Sequence, residues 1–94
     1  MAQERLSYSQ ILGLIIKEEV KNRFPGSLSD FAIKSGVGHT VFFNLIGGKV
    51  LNPSARQIAR IAQYLRIKPG DILDRPELLE YDFEADEKDD SEKS

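Results

Sequence analysis

The sequence predicts an all-α fold, a compact bundle of five helices followed by an acidic C-terminal tail, on three observations. Apolar residues recur at i, i+3, i+4 and i+7, and nowhere does the apolar–polar alternation of a strand compete. Glycine and proline interrupt that pattern at Pro25 and Gly26, at Gly36, at Gly47 and Gly48, at Pro69 and at Pro76, and serines stand just ahead of two of the segments so delimited. Ninety-four residues at 40% hydrophobic content fill one modest core and no more.

The first helix runs from near Ser9 to Phe24, stopped by Pro25 and Gly26. Leu12, Ile15, Ile16, Val20 and Arg23 follow helical spacing, while Lys17, Glu18, Lys21 and Asn22 take the wet face. Ile11 and Leu14 widen the apolar surface beyond one stripe. They lie under Tyr81 and Phe83 of the C-terminal segment, or sit exposed, or form a dimer or partner surface. The second helix starts at Ser27, whose hydroxyl caps first-turn amides, with Asp30 placed to complement the helix dipole. Leu28, Phe31, Ala32 and Ser35 make its inner face, and Gly36 supplies the positive φ of a helix stop.

The third helix extends from Gly38 or His39 to about Ile46, with Val41, Phe42 and Leu45 inward and Gly47 and Gly48 closing it. Pro53-Ser54-Ala55-Arg56-Gln57 reads as a capping box in which the Ser54 hydroxyl and the Gln57 amide satisfy each other's orphan donors. It opens a fourth helix on Ile58, Ile61, Ala62 and Leu65. Pro69, suited to a first helical turn, begins a short fifth helix with Ile72 and Leu73 inward, and Pro76 ends it. The domain so delimited covers residues 7–76, with a helix-turn-helix unit at about 27–46. Residues 77–94 form the tail, expected to be disordered from about Glu84 onward.

Charge is divided along the chain, which the net value of −2 conceals. Through Pro76, eleven Lys and Arg stand against six Asp and Glu, a balance of +5. From Glu77 on, two lysines stand against nine acids, a balance of −7. The basic body attracts phosphate, while the apolar-poor tail buries too little surface to offset its ordering entropy. Without cysteine there is no disulfide or thiolate metal site, and the lone His39 has no companion ligand. The apolar run from Ile11 to Ile16 falls far short of the roughly 20 residues that cross a bilayer. A cytoplasmic protein without membrane contact is expected. No Ser, His and Asp set suggests catalysis, and Gly47-Gly48-Lys49 lacks the spacing of a phosphate loop, so neither an enzyme nor a cofactor is expected.

Ala32, Gly36 and Phe42 have a spacing with a geometric cause. A small residue at 32 lets the next helix cross closely, Gly36 makes the bend, and Phe42 anchors the third helix on the second. The opposite face of the third helix is then free for a major groove wide enough to admit it. The stretch SLSDFAIKSGVGHTVFFNLIGGK, followed by NPSARQIARIAQYLRI, resembles the lambda-repressor-like (phage-repressor-type, XRE) helix-turn-helix family over roughly Leu12 to Leu73. The resemblance rests on Ala32, Gly36 with Val37, Gly48 with Lys49, Pro53 with Ser54, and Ile61 with Ala62.

That resemblance implies a five-helix domain binding double-stranded DNA, usually as a homodimer on palindromic operators. Carried over by position, it puts His39, Thr40, Phe43 and Asn44 on the base-reading face. By chemistry Asn44 is the best reader, because an amide bonds bidentately to adenine N6 and N7. Lys49, Ser54 and Arg56 are the phosphate contacts, with Lys34 and Arg60 lesser candidates. The chain departs from the family at Leu28, where a phosphate-clamping Gln is usual, at Gly38, Ile46 and Gly47, and at Arg66, where Gly commonly follows the fourth helix. A second reading takes the third helix as a protein-docking face, in an adaptor or antitoxin-like module, built on Phe43, Ile46, Val50 and Leu51. Partners through the first helix or the acidic tail belong to that reading.

Overall fold

Helices form where the caps and stops dictate. The computed structural model describes residues 5–51 and 53–85 of the chain. Its elements are α1 (Tyr8–Arg23), α2 (Leu28–Lys34), α3 (His39–Ile46), α4 (Ala55–Leu65), α5 (Pro69–Leu73) and α6 (Pro76–Leu79), with no strand among the described residues. Ser27 caps α2 by accepting from the Asp30 amide at 3.0 Å. α1 starts at Tyr8, near the expected Ser9, with Ser7 as N-cap in a reciprocal capping box with Gln10. Ser9 is free to turn inward, where its hydroxyl donates to the Leu51 carbonyl at 3.2 Å and ties α1 to the α3–α4 loop.

The box expected at α4 is half formed. Ser54 Oγ accepts from the Gln57 amide at 3.1 Å, but among the described residues Gln57 returns no side-chain bond. Gln57 lines a cleft beside Gly36 instead. Val41 is a second correction, being 37% exposed rather than inward. With Phe42 and Leu45 fully committed to the core, roughly 100° of rotation per residue leaves Val41 at the solvent margin, next to Asn44.

The core joins α1 (Leu12, Ile16, Val20), α2 (Phe31, Ala32) and α3 (Phe42, Leu45) to Ile58, Ile61 and Ala62 of α4 and Ile72 of α5. α1 and α3 approach closely at Gly13. A Cβ there would lie 2.6 Å from the carbonyl oxygens of both Leu45 and Ile46, so the two backbones touch.

Pro76, expected to end the fold, opens a further helix. Proline lacks the amide that is an orphan at a first helical position, so it stops one helix and starts the next with equal ease. Leu78 of α6 is buried in the core, and Tyr81 and Phe83 pack their rings on Tyr8 at 5.4 and 5.1 Å. Ordered packing thus continues beyond Pro76 to Phe83. The expected disorder of the tail falls mainly on residues 86–94, which lie outside the described residues. Arg75 fastens α6 to α1 through Glu19 at 3.0 Å and Glu18 at 3.2 Å, and also pairs with Glu77 at 3.2 Å. The Glu77 carboxyl is held below the usual carboxylate range by its own backbone amide and then by the Arg75 guanidinium.

Arg66 ends α4 in the left-handed conformation, φ 62° and ψ 39°, and among the described residues is the non-glycine residue with positive φ. The amides of Arg66 and Ile67 bond back to Gln63 and Ala62 at 3.0 and 2.9 Å, the bonding of a glycine-type stop made without glycine. Relief of the Cβ strain outweighs the extra freedom that glycine gives the unfolded chain. Arg66→Gly should therefore stabilise the domain by about 0.5–1 kcal/mol. The check is urea unfolding: the midpoint should rise with unchanged slope, and a lower midpoint would refute the account.

Candidate nucleic-acid interface

The face of α3 opposite its anchors is set by the anchors themselves. Phe42 and Leu45 are buried, and His39, Thr40, Val41 and Asn44 are exposed. Gly38 precedes them at φ 100° and offers no side-chain cap, so the first-turn amides of α3 keep their bonding capacity for an outside acceptor.

His39 and Phe43 act as a pair. Their rings lie 4.5 Å apart and tilted by 33°, and His39 Nε2 is 3.4 Å from Ser29 Oγ on α2. Phe43 is half-buried, with its edge against Phe42 at 5.6 Å. The phenyl ring therefore supports the imidazole and is not freely presented to a ligand. Thr40 and Asn44 make no side-chain bond among the described residues and stand clear.

The apolar docking face considered from sequence is not assembled. Phe43, Ile46 and Val50 are partly buried against the core, which leaves Leu51, 82% exposed, as the one of the four on the surface.

Lys49 stands three residues past the end of α3 and is exposed. Ser54, Arg56, Gln57 and Arg60 meet Gly36 and Val37 of the helix-turn-helix bend around one cleft. The Ser54 hydroxyl is occupied with its cap, so the group it holds ready is the α4 N-terminus rather than its own oxygen. Arg60 lies over the bend: a Cβ on Gly36 would come within 2.5 Å of its guanidinium.

The ion pairs gather on α1 and α6. Among the described residues Lys34, Lys49, Arg56 and Arg60 form no ion pair, whereas Arg23 and Arg75 are paired with Glu18, Glu19 and Glu77 on α1 and α6. Val41 was missed as a member of the exposed face, although it sits only about 60° from Asn44 on the helical wheel. Arg60, ranked low from sequence, gains its place from the bend it covers.

This geometry coincides with a known pattern. A family model of the Cro/C1-type HTH DNA-binding domain matches residues 16–77. The chain belongs to that family. No curated protein and no solved structure matches it significantly. As a Cro/C1-type domain it is a DNA-binding module of the regulator kind, and the matched span holds the whole helix-turn-helix with Lys49, Ser54 and Arg56. Gly13, Tyr81 and Phe83 fall outside the matched span. Among the described residues no helix is long and apolar enough to cross a membrane.

Proposed function

We propose that this Cro/C1-type domain is a sequence-specific transcriptional regulator, acting in the cytoplasm without catalysis, that places α3 in the major groove. One observation carries the reading: among the described residues Thr40 and Asn44 stand unengaged on α3 and Lys49, Arg56 and Arg60 form no ion pair, while the ion pairs lie on the α1–α6 side.

In this reading the Asn44 amide pairs with adenine N6 and N7. Thr40 bonds a base edge or phosphate. His39, steadied by Phe43 and Ser29, donates or accepts at a base edge, and the exposed rim of Phe43 meets a thymine methyl. Lys49, Arg56 and the amides of α4 behind Ser54 hold phosphates and fix the register.

The test is selection of bound sequences from random DNA at two salt concentrations. One motif should be enriched. A palindrome with half-sites about 34 Å apart would identify the binding unit as a homodimer. Asn44→Ala should lose discrimination at a single base position, by about tenfold to a hundredfold, with the salt dependence unchanged. Absence of any enrichment at the lower salt would sink the proposal.

A further inference from the structure

On the side of α1 away from α3, an apolar stripe is left open by the rest of the domain. At 3.6 residues per turn, Ile11, Leu14 and Glu18 lie roughly 100–160° around α1 from Gly13, where α3 crosses. Leu6, Ile11, Leu14 and Ile15 line a groove there with Glu18 and Glu77. A second hollow, sharing Leu6, Ile11 and Glu77, carries it on past Glu80, Tyr81 and Asp82. Tyr81 and Phe83 pack on Tyr8 and leave the stripe uncovered: Leu14 is 51% exposed in mid-helix. The apolar lining comes from residues before 16 and after 77, outside the family match.

Charge decides what fits. Glu18, Glu77, Glu80 and Asp82 line the groove against Arg5, and Arg75, already paired with Glu18 and Glu77, raises the cations only to two against four. A second copy of the chain would set this acidic rim against itself. Residues 86–94 carry five acids and two lysines, so they too meet like charge. We infer that the groove docks a cationic amphipathic helix of another protein, its apolar side chains over Ile11 and Leu14 and its Lys or Arg residues against Glu77 and Glu80. The site lies across α1 from α3, so occupancy leaves the exposed face of α3 open. It does not depend on the DNA-binding proposal.

The full chain is titrated by fluorescence anisotropy with a labelled synthetic helix carrying leucines at i, i+3, i+4 and i+7 and lysines elsewhere, and with its glutamate-for-lysine counterpart. The lysine peptide should bind saturably and the glutamate peptide should not. Leu14→Ser should weaken binding by about tenfold or more. Glu80→Lys should also weaken it, and both changes fall on exposed side chains, so the melting temperature should hold. Equal binding of the two peptides, or undiminished binding by Leu14→Ser, would overturn the inference. So would a dimer in sedimentation that Leu14→Ser dissolves, which assigns the groove to a second copy. A tenfold gain on deleting residues 86–94 would assign it to the chain's own tail and overturn it equally.

Discussion

Gly13→Ala is expected to lower the thermal midpoint of the domain by about 10 °C, against the sign that helix propensity alone would give. In an unconstrained helix interior this change is favourable by about 1 kcal/mol, since alanine restricts the unfolded chain and favours helix. Here the new methyl would stand 2.6 Å from two carbonyl oxygens and 2.9 Å from the Ile46 carbonyl carbon. These are backbone atoms of α3, so no rotamer change can make room. Either α1 withdraws, opening the contacts of Leu12 and Ile16 with the core, or the last turn of α3 distorts. Overpacking of this kind costs about 1–3 kcal/mol even where side chains can yield, so a net loss of about 2 kcal/mol is a modest figure for a backbone clash. Calorimetry with a matched urea series measures it. A Gly13→Ala protein as stable as the parent would mean that α1 and α3 do not meet backbone to backbone.

That glycine also marks where the sequence stopped being legible. The five expected helices follow from local signals, namely caps at Ser27 and Ser54, stops at Gly36 and Pro25, and a repeat of apolar residues, all of which act within one or two turns. Gly13 has no local signal. In the run from Ile11 to Ile16 it reads as a weak point in a helix, and only the partner helix gives it a purpose. The same holds for Ser9, whose hydroxyl is satisfied by Leu51, 42 residues away. Pro76 reads as an end in sequence because the property that ends one helix also begins another, and only the burial of Leu78 shows the helix it opens. At the candidate interface the exposure of His39, Thr40 and Asn44 follows from Phe42 as core, whereas that of Val41 depends on how far Leu45 turns inward. The pairing of His39 with Phe43 and the seat of Arg60 over Gly36 were not, because both depend on how α2 and α4 flank the bend.

DNA affinity is expected to fall steeply with salt although the chain is acidic overall. Net charge is a poor guide where the ion pairs gather away from the cations of the candidate interface. The acids that α1 and α6 hold in ion pairs sit across α1 from α3 and are already engaged by Arg23 and Arg75. Lys49 and Arg56, with Arg60 in the same cleft as Arg56, form no ion pair among the described residues, which leaves them available to phosphate. Three phosphates neutralised per chain give a log–log slope of about −2.7, or about 40-fold of affinity lost over a roughly fourfold rise in salt. Lys49→Ala and Arg56→Ala should each flatten the slope by about 0.9 and leave the preferred sequence unchanged, because a phosphate contact carries no base information. Arg23→Ala is the control, since its guanidinium is held by Glu19 at 2.7 Å on α1. Binding isotherms on one selected duplex at four or five salt concentrations decide the matter. Slopes that flatten for Lys49→Ala and Arg56→Ala but not for Arg23→Ala locate the phosphate track beside α3. Equal flattening for all three would mean that the acidic chain meets DNA through diffuse charge alone, and the cleft around Gly36 would lose its role.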